Sequence, residues 1–253
     1  MRIAAFAVIS AFVFALAAAL SPAFAWEIKA MNDQIDKTNV LVSNVCSGTV
    51  ISVEKRLVLT AHHCITDNLH ETTKKEVDPK TGEIRERKVV ERASMFVEVR
   101  KHQEWDVVSF QRYEAKIVGY NDLADIAVLQ VVDKDWKPLG EAPLAPDSYE
   151  YMRGKAVFAV GNPAIEFDSS VTTGIISAPA RAVDFGNGIK FPLFQHSANT
   201  IGGNSGGAIY NDEGQIIGTV TGGIRGSDVS LSIPVSFTKA LLKQLGFGDL
   251  VKN

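Results

Sequence analysis

The feature that most limits what this chain can become is the run Gly203-Asn204-Ser205-Gly206-Gly207. A serine between two glycine pairs demands tight main-chain turns and lets another backbone approach closely. Those are the needs of an acyl-transfer site: a nucleophilic hydroxyl, with main-chain N–H groups beside it to hold a developing oxyanion. A Gly/Ser surface turn would have the same composition. The choice between them depends on whether a base and an orienting carboxylate stand elsewhere in the chain.

Both are present, in the order His, Asp, Ser. Leu57-Val58-Leu59-Thr60-Ala61-His62-His63-Cys64 reads as a buried strand entering a turn that carries two histidines. Asp125-Ile126-Ala127-Val128-Leu129-Gln130-Val131 opens a second apolar strand on a carboxylate. With these segments the sequence resembles the chymotrypsin-like serine proteases, and more closely their HtrA (Deg) branch. That family carries its base in Thr-Ala-Ala-His-Cys, its aspartate in Asp-Ile-Ala-Leu-Leu and its serine in Gly-Asn-Ser-Gly-Gly. The resemblance assigns a catalytic triad of His63, Asp125 and Ser205. It prefers His63 to His62 because the family's base directly precedes the cysteine. Three motifs in fixed order are far more specific than any one alone.

The resemblance extends over most of residues 46–235 and implies an all-β fold, two six-stranded antiparallel barrels followed by a C-terminal helix. The first barrel is expected over about residues 40–132, the second over about 150–235 and the helix over about 235–246. Residues 133–147, broken by Pro138, Pro143 and Pro146, form the expected connection. Residues 95–100, 107–113 and 115–120 read as three strands closing the first barrel. The segments 208–210 and 215–221 read as a hairpin about Asn211-Asp212-Glu213-Gly214. Residues 26–40 give too little pattern to assign.

The resemblance also pairs Cys46 with Cys64 in a disulfide, since the counterpart of the Cys46-Ser47-Gly48 strand is bridged to the cysteine after the catalytic histidine. Gly203, Asn204 and Ser205 supply the expected oxyanion-binding N–H groups. The pocket for the substrate side chain is expected to have Asn199 at its base and Thr221, Gly222 and Gly223 as one wall. With no aspartate at the base, Lys or Arg preference is not expected. A small or medium apolar residue is, with Gly222 and Gly223 as features that would deepen the pocket.

Asn204 also stands where trypsin-like zymogens carry the aspartate that receives a newly cut N-terminus. Activation by such a cut is therefore not expected. A C-terminal PDZ domain, usual in HtrA proteins, is not expected here.

At the start, Arg2 precedes an apolar run from Ile3 to Leu20 and the pattern Ala23-Phe24-Ala25. Residues 1–25 read as a signal peptide cleaved after Ala25, leaving residues 26–253 as one protease domain exported to a periplasm or secreted. A retained anchor is the alternative, because the run approaches spanning length. Removing Arg2, the leader's one charged residue, takes the formal charge from −3 to −4. That mild acidity gives no sign of nucleic-acid binding, and none is expected.

No cofactor or metal is expected. His62, His63 and His70 lack zinc-ligand spacing, and His70, His102 and His196 read as surface or loop histidines. The charge-dense stretch 67–92 reads as a solvated hairpin or loop, with a regulatory or calcium-binding loop as the less favoured reading. The expected partners are protein or peptide substrates. Two other functions remain open: a chaperone or binding protein on a protease scaffold, and an esterase using the same triad.

Overall fold

The computed structural model describes residues 28–251 apart from 78, 81–82, 104–105, 185–187 and 225. The expected leader, residues 1–25, lies outside the described residues. Fourteen strands form two closed antiparallel barrels and a separate hairpin. The first barrel is built from β1 (Asn39–Val42), β2 (Cys46–Ser52), β3 (Leu57–Ala61), β6 (Met95–Gln103), β7 (Asp106–Asn121) and β8 (Ile126–Val131), in the order β1-β2-β3-β8-β7-β6. Pairing of Leu41 with Glu98 and Val42 with Val97 closes it.

The second barrel contains β9 (Ala156–Gly161), β10 (Ser170–Asp184), β11 (Lys190–His196), β12 (Ala208–Tyr210), β13 (Ile216–Gly223) and β14 (Ser230–Pro234). Their order is β10-β11-β14-β13-β12-β9. The charged stretch is a two-stranded hairpin, β4 (Leu69–Val77) with β5 (Ile84–Arg92). It is laced by exposed cross-strand pairs such as Lys74–Glu91 at 3.1 Å, each worth little on its own.

The barrels meet along β3 and β8, and this explains why both strands are apolar except for Thr60 and Gln130. Side chains alternate across a strand. Val58, Ala61, Ala127 and Leu129 fill the first barrel, while Leu57, Leu59, Ile126 and Val128 join the cluster shared with the second. A strand buried on both faces has no polar side to show.

One expectation needs correction. Residues 107–113 and 115–120 are not separate strands but parts of β7, which runs unbroken for 16 residues. Nothing between Tyr113 and Ala115 can turn the chain, and the irregularity in pairing falls later, between Ile117 and Gly119. Residues 28–38, left unassigned from the sequence, form α1 (Ile28–Thr38). Ile35 and Thr38 are its buried residues and Met31 packs against the shared core. The closing helix α2 (Val235–Gln244) buries Val235, Thr238, Lys239, Leu241 and Leu242. No helix among the described residues is long and apolar enough to cross a membrane.

Candidate active site

Because Ala61 pairs with Ile126, the end of β3 and the start of β8 lie side by side. The single 3₁₀ turn His62–Cys64 follows the first, and Asp125 precedes the second. Asp125 takes a left-handed conformation, φ +52°, which a short polar side chain tolerates better than most. Its carbonyl accepts the His62 N–H at 3.1 Å, and its Oδ1 accepts the His63 N–H at 2.9 Å. The His63 ring completes the arrangement, with Nδ1 2.9 Å from Oδ2 and 3.1 Å from Oδ1. The carboxylate is 13% exposed and the imidazole 45%, so the pair has one end in protein and the other open to a ligand.

A further donor escaped the sequence reading. The Thr221 hydroxyl donates to Asp125 Oδ2. Burial alone would push the Asp125 carboxyl up. Hydrogen bonding and charge from His63, with the Thr221 hydroxyl, outweigh it and hold the group below its ordinary value.

His62 turns elsewhere, its ring stacked on Tyr120 at 4.9 Å between centroids. Desolvation there lowers its pKa, against the opposing pull of Asp125 and Asp122. Asp122, three residues before Asp125, accepts the Leu123 N–H at 3.0 Å, a local turn bond. His196 is not a surface histidine. It is fully buried on β11, Nε2 lies 2.9 Å from the Ser232 hydroxyl, and desolvation pushes the ring down to about 4.

Ser205 comes from the second barrel, and the first barrel holds its backbone. The Ser47 N–H donates to the Ser205 carbonyl at 2.8 Å, and the Ser47 hydroxyl donates to Gly203 O at 2.7 Å. Cys46 and Cys64 form a disulfide. Cys64 Sγ lies 3.7 Å from the Ser205 carbonyl oxygen, so the serine loop lies against the residue that follows His63. A His63 nitrogen falls within 4.8 Å of both sulfurs, but they are bonded to each other and offer no thiolate to a metal.

The glycines have separate reasons. Gly203 sits at φ +99°, and a Cβ there would lie 2.2 Å from Asn162 O. Gly206 sits at φ +82°, with a Cβ 2.3 Å from both Ser47 O and Thr60 Oγ1. Neither position has room for a side chain.

Of the three expected oxyanion donors, Asn204 is committed elsewhere, its N–H donating to Ile201 O at 3.1 Å. The N–H groups of Gly203 and Ser205 have no acceptor among the described residues. An anionic oxygen beside Ser205 thus has two main-chain donors to meet.

Beside Ser205 opens a cavity of about 750 Å³. Asn199, Gly222 and Gly223 line it, and Thr221 does not. Thr221 sits at an irregularity in the β13–β14 pairing, between Val220 and Gly222, and its hydroxyl is turned to Asp125. Val45, Ile165, Ile201 and Ile224 add apolar wall, and none of the described lining residues is charged. The space is wider than a small side chain needs.

A family model for the trypsin-like peptidase domain matches residues 46–218. The "Serine protease Do-like HtrA" of Lactobacillus helveticus is 42% identical over 105 residues, covering 41% of this chain and 25% of that protein. The "Serine protease HtrA-like" of Staphylococcus aureus is 35% identical over 140 residues, 51% of this chain and 18% of that protein. The chain therefore spans a quarter or less of the length of these relatives.

Among solved structures, the serine endoprotease from Yersinia pestis superposes with a TM-score of 0.60 at 22% identity, covering 89% of this chain and 67% of that one. The HtrA-type protease AlgW does so with a TM-score of 0.61 at 21% identity, covering 88% and 64%. At such identities the likeness concerns the fold. The family match over residues 46–218, on a double barrel that brings His63 against Asp125, places this chain in the trypsin-like peptidase domain family, with HtrA proteins among its relatives.

Proposed function

We propose that this protein is an exported serine endopeptidase working through His63, Asp125 and Ser205. The observation that carries the reading is His63 Nδ1 at 2.9 Å from a buried carboxylate. That contact fixes the ring tautomer and leaves Nε2 to act as the base. In the reaction, Nε2 takes the Ser205 proton as Oγ attacks the peptide carbonyl, and Asp125 stabilises the resulting imidazolium. The N–H groups of Gly203 and Ser205 receive the oxyanion, each donor contributing roughly 3 kcal/mol by analogy with measured cases. His63 then returns the proton to the leaving amine, and water hydrolyses the acyl-enzyme.

The uncharged cavity fits a bulky apolar residue, such as Phe or Leu, on the acyl side of the cleaved bond. Asn204 is buried and bonded within its own loop, which supports a site that needs no N-terminal cut. The apolar leader and the disulfide support export.

The test is digestion of a diverse peptide mixture by the protein and by its Ser205→Ala variant, with products read by mass spectrometry. Cuts made only by the unmodified protein, after bulky apolar residues, are the expected outcome. Identical, uncut mixtures would overturn the reading in favour of a binding role on a protease scaffold.

A further inference from the structure

The loop joining β9 to β10, residues 162–169, lines the cavity beside Ser205 through Ala164 and Ile165. Both residues have positive φ, +52° and +68°. L residues avoid that region, and a β-branched one avoids it most. Something must hold the loop in this shape.

Bonds within the loop do so in part, Ile165 N–H to Asn162 O at 3.0 Å and Phe167 N–H to Pro163 O at 3.2 Å, and two more act on Ala164 and Ile165 from outside it. The Ala164 N–H donates to Gly202 O at 2.7 Å, and Arg100 Nη1 donates to Ile165 O at 2.8 Å. Arg100 belongs to β6 of the first barrel, so its bond crosses from one barrel to the other. The guanidinium is itself fixed. Its Nε donates to Glu98 Oε1 at 2.8 Å, Arg112 Nε donates to Glu98 Oε2 at 2.8 Å, and Asp168 Oδ1 lies 3.7 Å from Nη1. Glu98 and Arg100 share a face of β6, being two residues apart. Glu98 is only 4% exposed. Burial would push its carboxyl up, but hydrogen bonds from Arg112 and Arg100 prevail and keep it ionised.

The consequence falls on one peptide group. In a planar trans peptide, C=O and N–H point in opposite directions. Drawing Gly202 O toward Ala164 therefore turns the Gly203 N–H the other way, into the site where it is free of any described acceptor. Rotation of this peptide would withdraw that donor.

We propose that Arg100 is a positioning residue for the oxyanion site, acting through Ile165 O, the Ala164 N–H and Gly202 O on the Gly203 N–H. The proposal rests on the endopeptidase reading above. Arg100 touches no substrate, and its effect is on the geometry of the transition state.

The test compares the unmodified protein with Arg100→Ala and Arg100→Lys. Lysine keeps the charge but cannot reach Glu98 and Ile165 O together, and it guards against a variant that fails to fold. Three quantities are read: thermal midpoint, kcat and KM on a peptide cut by the unmodified protein, and hydrogen exchange over residues 162–169 and 199–205. Exchange is measured in a Ser205→Ala background. The expected result in both variants is a fall in kcat of about 10- to 100-fold, part of what loss of a whole donor costs. KM stays within about 2-fold, and exchange is faster in both segments.

Unchanged exchange, or faster exchange with unchanged kcat, would overturn the proposal. An equal loss in kcat explained by a lower folded fraction at the assay temperature would overturn it too. If the unmodified protein cuts nothing, the endopeptidase reading fails. Exchange then decides the positioning of the loop by itself, with faster exchange supporting the Arg100 clamp and unchanged exchange refuting it.

Discussion

Replacing Thr221 with valine removes one hydroxyl and keeps the shape, so it isolates the third donor to Asp125. In the native protein that carboxylate accepts the His63 N–H, the His63 ring and the Thr221 hydroxyl. A hydrogen bond to a charged group contributes about 1.5–3 kcal/mol and a neutral one about 1 kcal/mol. Thr221→Val should therefore cost about 2 kcal/mol at pH 7, where Asp125 is ionised. At low pH, where it is protonated, the cost should be about 1 kcal/mol. The sign follows from the depressed pKa of Asp125. Its stabilisation is present above the unfolded carboxylate value and is lost as pH falls through the lower folded value. Removing a donor raises that folded value, by about 0.7 of a pH unit for a 1 kcal/mol difference. The assay is urea unfolding followed by circular dichroism from pH 7 to pH 2.5, with Ser205→Ala in both proteins to prevent self-digestion. A penalty that is absent, equal at every pH or larger in acid would refute the reasoning.

Two other outcomes can be checked directly. A Cβ at Gly222 would meet nothing within 4 Å, so Gly222→Val should fold normally while narrowing the cavity. Cleavage after Phe should fall by roughly 100-fold in kcat/KM relative to cleavage after Ala, the discrimination a few apolar atoms can give. An unchanged ratio would show that substrates bind elsewhere. Replacing Cys46 and Cys64 together with alanine opens a cross-link of sequence separation 18 and should lower stability by roughly 3 kcal/mol. Denaturant titration measures this, and a loss below about 0.5 kcal/mol would show that the bond does not limit the unfolded chain.

Much of this architecture could be read from the chain because β3 and β8 lie between two hydrophobic clusters. Their largely apolar runs flank His63 and Asp125, and the motif resemblance then separated His63 from His62. β7 was read as two strands because Glu114 interrupts the apolar residues, although a charged side chain at a solvent-facing position does not end a strand. α1 was missed because Met31, Ile35 and Thr38 are too few to stand out from a polar segment, though their spacing of four and three is helical. Thr221 was given to the pocket wall because the sequence names the strand and not which face meets which neighbour. Arg100 left no local signal at all, since its partner Ile165 stands 65 residues away and offers only a carbonyl.

The division of the site between two barrels also bears on when the site can exist. His63 and Asp125 are synthesised well before Ser205, and the serine loop takes its place against Ser47 of the first barrel. Neither barrel alone holds all three side chains. Completion of the site therefore waits on the docking of one barrel against the other.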